Sequence, residues 1–207
     1  LHIDTVVKDI TISTLKNKKI NYIVYFIEII GHNKLRHANA LLYSRKNNEI
    51  ERFDPFGSGS NKELDKKLNK YFAEIIPNVK YISPTDYMST VGFQKIDVYE
   101  AQNEYIGDPE GFCVAWSMWY VDMRTSFPDL TRVKLIKYIM QQIVQKHLRY
   151  RSVIRNYSKN ITILRDEILN YAKLDINKFL TGEFRYDDIK KIMEKMNSLI
   201  EDNSSHR

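Results

Sequence analysis

One cysteine, two tryptophans, five prolines and seven glycines stand among the 207 residues. A single cysteine closes no internal disulfide, which points to a reducing compartment, and it excludes the usual zinc fingers and ribbons. Low glycine and proline with 43% hydrophobic residues exclude a disordered chain. No apolar run approaches the roughly 20 residues that cross a bilayer. The most apolar stretch, 20-INYIVYFIEII-30, is interrupted by Asn21 and Glu28 and reads as a buried strand. The start at Leu1 carries no signal-peptide pattern. A glycine-rich phosphate loop, an internal repeat and a cluster with metal-ligand spacing are all missing from the sequence, so no metal or organic cofactor is expected.

Acidic charge is missing from one long segment. Between Arg132 and Lys159 there are eight Lys/Arg and no Asp or Glu, which leaves 24 basic against 26 acidic residues elsewhere. The net charge of +6 is therefore a property of that segment. It predicts a basic helix that is either a solvated face or a docking surface for an acidic partner or nucleic acid.

The first half reads as strands rich in Ile, Val, Tyr and Phe: 4–12, 20–29, 38–44, 49–55 and 79–83. The turn 45-RKNN-48 joins two of them as a hairpin. Leu64, Leu68, Tyr71, Phe72 and Ile75 keep helical spacing after a capping Asn61, and Pro77 ends that helix. The second half reads as helices from about 111 to 126, 129 to 151, 159 to 173 and 186 to 201. The expected fold class is α+β, a short and mostly antiparallel sheet packed by helices, with a core over 1–150 and a helical extension over 151–207.

The lone Cys113 follows a turn marked by Asp108, Pro109 and Gly111 and opens the run 114-VAWSMWYVDM-123. A helix N-terminus lowers a thiol's pKa, and the unpaired amide there is available to an oxyanion. A nucleophilic thiol also needs a base and a group to orient it. Of the five histidines, His37 is best placed, because the hairpin brings the start of one strand near the end of the next and so sets His37 beside Asp54. Trp116 and Trp119 read as core and groove wall.

With 37-HAN-39, 52-RFDPFG-57 and 108-DPEGFCVAW-116 in this order, the chain resembles the Ulp1-like (adenain-like) cysteine proteases over about residues 20–150. The viral branch, the core-protein proteases of large DNA viruses, is the more similar one. The resemblance implies a papain-like or adenain-like core and a cysteine endopeptidase, with Cys113 as nucleophile, His37 as base, Asp54 as orienter and Gln102 as oxyanion donor. Gln102 lies eleven residues before Cys113, further than in cellular members, and Gln94 is the fallback. Ala38, Asn39, Asp108 and Trp116 are the expected substrate contacts, although Ala38 replaces the Trp that roofs the channel in cellular members. The implied substrate is a viral polyprotein cut at small-residue sites during virion maturation, in host cytoplasm or virion. A ubiquitin or SUMO isopeptidase and an acetyltransferase of the same clan are the implied alternatives, and nucleic acid is an implied modulator.

Overall fold

The computed structural model describes residues 5–30, 36–59, 61–100 and 111–204. The chain divides into two compact units, Leu1–Ile154 and Arg155–Arg207. The first is built on a four-stranded sheet in the order β1 (Tyr22–Ile30), β2 (Arg36–Ser44), β3 (Glu49–Phe53), β4 (Lys80–Ile82). The pairs β1–β2 and β2–β3 are antiparallel, and β3–β4 is parallel. The class is α+β with a small mixed sheet.

Alternation along the strands sends side chains to two different faces. Leu41, Tyr43 and Ile50 point to the face covered by α2 (Lys62–Ile75), where they form one core with Leu64, Leu68, Phe72 and Ile75. Asn61 caps α2 by accepting the Leu64 N–H at 3.1 Å. Residues of opposite charge leave β3 in opposite directions. Arg52 points toward α2, where it donates from Nε and Nη2 to Asp65 at 2.7 and 2.9 Å. Glu51 points the other way and accepts from Tyr120 Oη at 2.8 Å, from Arg124 Nε at 3.0 Å, and from Arg132 Nε. These partners sit on α4 (Cys113–Ser126) and α5 (Arg132–Gln145).

The expected strand over 4–12 is instead the helix α1 (Thr5–Lys16). Its β-branched composition misleads, because the less exposed positions Val7, Thr11, Thr14 and Leu15 recur at helical and not alternating spacing. Distant groups fix it. Thr11 Oγ1 shares a 2.9 Å hydrogen bond with Tyr25 Oη, and the Arg45 guanidinium donates to the carbonyls of Leu15, Asn17 and Ile20.

The expected helix over 129–151 is broken. α5 ends at Gln145, and α6 (Tyr150–Ala172) starts afresh. His147 takes the left-handed conformation at φ 50. Its N–H donates to Val144 O and that of Leu148 to Ile143 O, the paired bonds of a Schellman stop that usually uses glycine. The basic segment is also less free than its composition suggests. Arg132 serves Glu49 and Glu51, and Arg151 lies 3.3 Å from Asp97. Lys134, Lys137 and Lys146 are exposed.

A short helix, α3 (Phe93–Glu100), follows a 3-10 turn at Pro84–Asp86. The second unit holds most of α6 with α7 (Ile176–Thr181) and α8 (Tyr186–Ser204). Leu169, Ala172 and Leu174 form its small core with Ile176 and Ile192. No described helix is long and apolar enough to cross a membrane.

Leu68 is 1% exposed at the centre of the α2 core. Leu68→Ala is expected to cost about 2–5 kcal/mol, read in urea as a lower midpoint with an unchanged m-value.

Candidate functional site

The hairpin register decides where the site forms. Ala40 pairs with Phe53, so His37 lies diagonally across from Asp54, just past the paired residues, within reach of a long side chain. His37 Nε2 is 2.8 Å from Asp54 Oδ1. An ionised carboxylate only accepts, so Nε2 carries the proton, and the other ring nitrogen is left for the thiol. The imidazole also stacks on Phe56, with ring centroids 4.3 Å apart.

Asp54 is almost completely buried and held by several donors. Oδ1 also accepts from the Phe56 N–H at 2.9 Å, and Oδ2 accepts from Arg52 Nη1 at 3.1 Å. The turn after it is clamped by backbone. Gly92 N–H donates to Phe56 O and Gln94 N–H to Pro55 O. A Cβ on Gly92 would lie 2.3 Å from Pro55 O, and one on Gly57, at φ +102, 2.6 Å from Gly92 N. Both positions need glycine.

Cys113 is the first residue of α4, after the N-cap Phe112. Trp116 anchors that end of the helix. It is fully buried and donates from Nε1 to Asp97 Oδ2 at 2.5 Å, while the Arg151 guanidinium lies over the Phe112 ring. Ser117 Oγ donates to Ala38 O at 3.3 Å and ties the helix to β2. The thiol is half-buried and makes a side-chain hydrogen bond with His37. Burial pushes the thiol pKa up, but the His37 hydrogen bond, contacts to the Ala38 and Val114 backbone and the imidazolium charge outweigh it, and the pKa falls below its ordinary value. Burial pulls His37 down, but hydrogen bonds and charge from Asp54 and Cys113 raise it to about 9. The two groups titrate as a pair, in which the imidazolium favours the thiolate and the thiolate favours the imidazolium. Such a thiolate attacks electrophilic carbon or sulfur.

The structure brings His37, Asp54 and Cys113 together. Ala38 lines a cleft of about 200 Å3 with Phe26, Glu28, His37, Cys113 and Val114. Asn39 is fully buried and accepts from Arg52 Nη1 at 2.5 Å, so it supports the network behind the site. Trp116 is a core residue and does not line the cleft. Gln102 and Asp108 lie outside the described residues. Gln94 is placed beside the site: it is 3% exposed, its Oε1 has no hydrogen-bond partner among the described residues, and a Cβ on Gly111 would lie 2.4 Å from its Nε2. The signal that could have found this arrangement is Gly92, whose only sequence mark is a lone glycine after 89-STV-91. Among the described residues, no group of three or more His, Cys, Asp or Glu side chains is placed to hold a metal ion.

No family model matches the chain. It is similar to "Putative ankyrin repeat protein L371" of Acanthamoeba polyphaga mimivirus, at 36% identity over 192 residues, which is 86% of this chain. The chain spans 25% of that protein's length. The relative bears the name of a repeat protein and not of a peptidase, and this corrects the expectation drawn from the motifs. The assignment to the Ulp1-like cysteine proteases does not hold. The polyprotein endopeptidase reading, its isopeptidase and acetyltransferase alternatives, and the thiol-protease class with its virion-maturation role fall with it. The physical reason is that three side chains define a reactive thiol but not a reaction, because one constellation recurs on many scaffolds.

Cys113 is expected to alkylate with iodoacetamide readily at pH 6, where an ordinary thiol is almost fully protonated, and His37→Ala is expected to slow this about tenfold or more, read by intact mass. His37, raised to about 9, gives stability that is complete below its ordinary 6.5 and fades as pH rises through about 9. Lowered Cys113 gives stability that is lost as pH falls through its lowered value. His37→Ala is therefore expected to flatten the fall in Tm between pH 7 and 10.

Proposed function

We propose that this chain is a protein-binding module and that the cleft beside Cys113 receives a segment of the partner. The observation that carries the reading is an open cleft with an apolar wall set against a reactive thiol. Phe26 and Val114 line that cleft while more than half exposed, at 54% and 56%. Glu28 and Arg36, paired at 3.3 Å, mark its polar rim. Apolar surface of this kind, rimmed by polar groups, marks interaction sites. The name of the mimivirus relative supports the same direction, since repeat proteins bind partners across extended surfaces.

Within this reading, His37, Asp54 and Cys113 act as one reactive group facing the bound segment. Asp54 holds the imidazole, and the imidazolium holds the thiolate. A reducing compartment, which keeps Cys113 as a thiol, is the setting the reading requires. Exposed Lys134, Lys137 and Lys146, with no acidic residue between them in sequence, suit a partner with an acidic face in preference to a neutral one.

Peptide display on the folded chain tests the reading. It is expected to enrich peptides whose affinity drops at least tenfold with Phe26→Arg or Val114→Arg, and which slow Cys113 alkylation when bound. Failure to enrich any peptide, or binding indifferent to both substitutions, would sink it. Circular dichroism confirms that the variants remain folded.

A further inference from the structure

We infer that Arg52 is a positioning residue for the Cys113 site, and that Asp65 on α2 regulates the site's charge through it. This rests on the reactive-thiol reading and adds to it a control point on a separate element, away from the cleft.

The geometry is a chain of buried and part-buried contacts leading away from the cleft. Cys113 meets His37, His37 Nε2 meets Asp54 Oδ1, and Asp54 Oδ2 meets Arg52 Nη1. Arg52 then forks onto both carboxylate oxygens of Asp65. Tyr81 on β4 donates its hydroxyl to Asp65 Oδ1 at 2.7 Å. The Arg52 side chain is fully buried, and that of Asp65 is 13% exposed. Among the described residues, charged and titratable groups reach this chain from His37 on β2, Asp65 on α2, Tyr81 on β4 and Cys113 on α4. Tyr87 also reaches it, donating its hydroxyl to the Arg52 carbonyl. Glu51, with Arg124 and Arg132, lies on the other face of the sheet.

One guanidinium thus divides its charge between two carboxylates. The planar fork engages Asp65 in two-point geometry and meets Asp54 through a longer bond from Nη1. Asp65 takes up most of the cation. Asp54 is then fixed in orientation by Arg52 yet keeps enough negative charge to hold an imidazolium. Without Asp65, more of the charge of Arg52 falls on Asp54, and the imidazolium next to it loses support. A lysine at position 52 keeps the charge but cannot make the fork, so Asp54 loses its fixed orientation.

NMR titration of the His37 ring and the pH profile of Cys113 alkylation by iodoacetamide test the inference in the whole chain. The wild-type chain reports first on the reading beneath: a His37 titration at the ordinary value defeats the reactive-thiol pair itself. Given the pair, Asp65→Asn is expected to lower the His37 titration by about one pH unit with the fold intact. Asp65→Glu, which restores the charge, moves it back toward wild type, an outcome that a packing effect would not give. Arg52→Lys is expected to slow alkylation at pH 6 about tenfold. A folded Asp65→Asn chain with the wild-type titration overturns the inference. So does an Asp65→Glu chain no closer to wild type than Asp65→Asn.

Discussion

The buried guanidinium of Arg52 is the constraint on which the first unit is organised. A fully buried cation is costly unless every direction around it is answered. Here the answers come from Asn39, Asp54 and Asp65, on β2, the residue after β3, and α2. Satisfying one charge therefore fixes three parts of the chain relative to one another. Removing one partner leaves an uncompensated charge, which costs far more than the contact itself contributes. The hydrophobic core between α2 and the sheet supplies most of the driving force for folding, but it is tolerant of small shifts. The Arg52 network is not, and it leaves one arrangement in which Asp54 faces His37.

That arrangement joins the fold to the site. Asp54 meets the imidazole because the residues around it are held by three kinds of contact: the cation behind, the Phe56 amide beside, and the glycine clamp at Gly57 and Gly92. Cys113 arrives from the other direction, on a helix anchored by Trp116 and Asp97. The thiol and the imidazole therefore belong to separately anchored elements, and their mutual shifts in pKa follow from where those anchors hold them.

Much of this was legible in the sequence, and the reasons for the rest are specific. Strands β2 and β3 and helix α2 follow from apolar spacing, because their patterns are local. The apolar run 20–30 suggests a buried strand, whereas β1 is an edge strand with alternate residues exposed, since burial depends on which strands flank it. The proximity of His37 and Asp54 follows from a hairpin and a register. Helix α1 was hidden behind β-branched residues, since Tyr25 and Arg45, which settle its conformation, are distant in sequence. The stop after Gln145 was hidden because His147 takes a conformation that normally announces itself as glycine. The charge count over 132–159 overstated the free cation, because Arg132 and Arg151 are matched by Glu49, Glu51 and Asp97 from elsewhere in the chain. The motifs around His37, Asp54 and Cys113 name residues that the structure brings together, but they carried a family and an activity that do not hold. A constellation needs a few residues at the right distances, whereas an activity also depends on what the surrounding surface admits.

Strand β3 carries one further consequence. Glu51 and Arg52 are neighbours in sequence and buried on opposite faces, where Arg52 pairs with Asp54 and Asp65 and Glu51 pairs with Arg124 and Arg132. A slip of one residue along the ladder would turn each to the other face. Arg52 would then confront Arg124 and Arg132, and Glu51 would confront Asp65. An apolar strand caught in the wrong register loses some packing and can linger there. This strand would meet like charge on both sides at once, so its alternate pairing is repelled electrostatically, and the correct alignment is proofread by two adjacent residues.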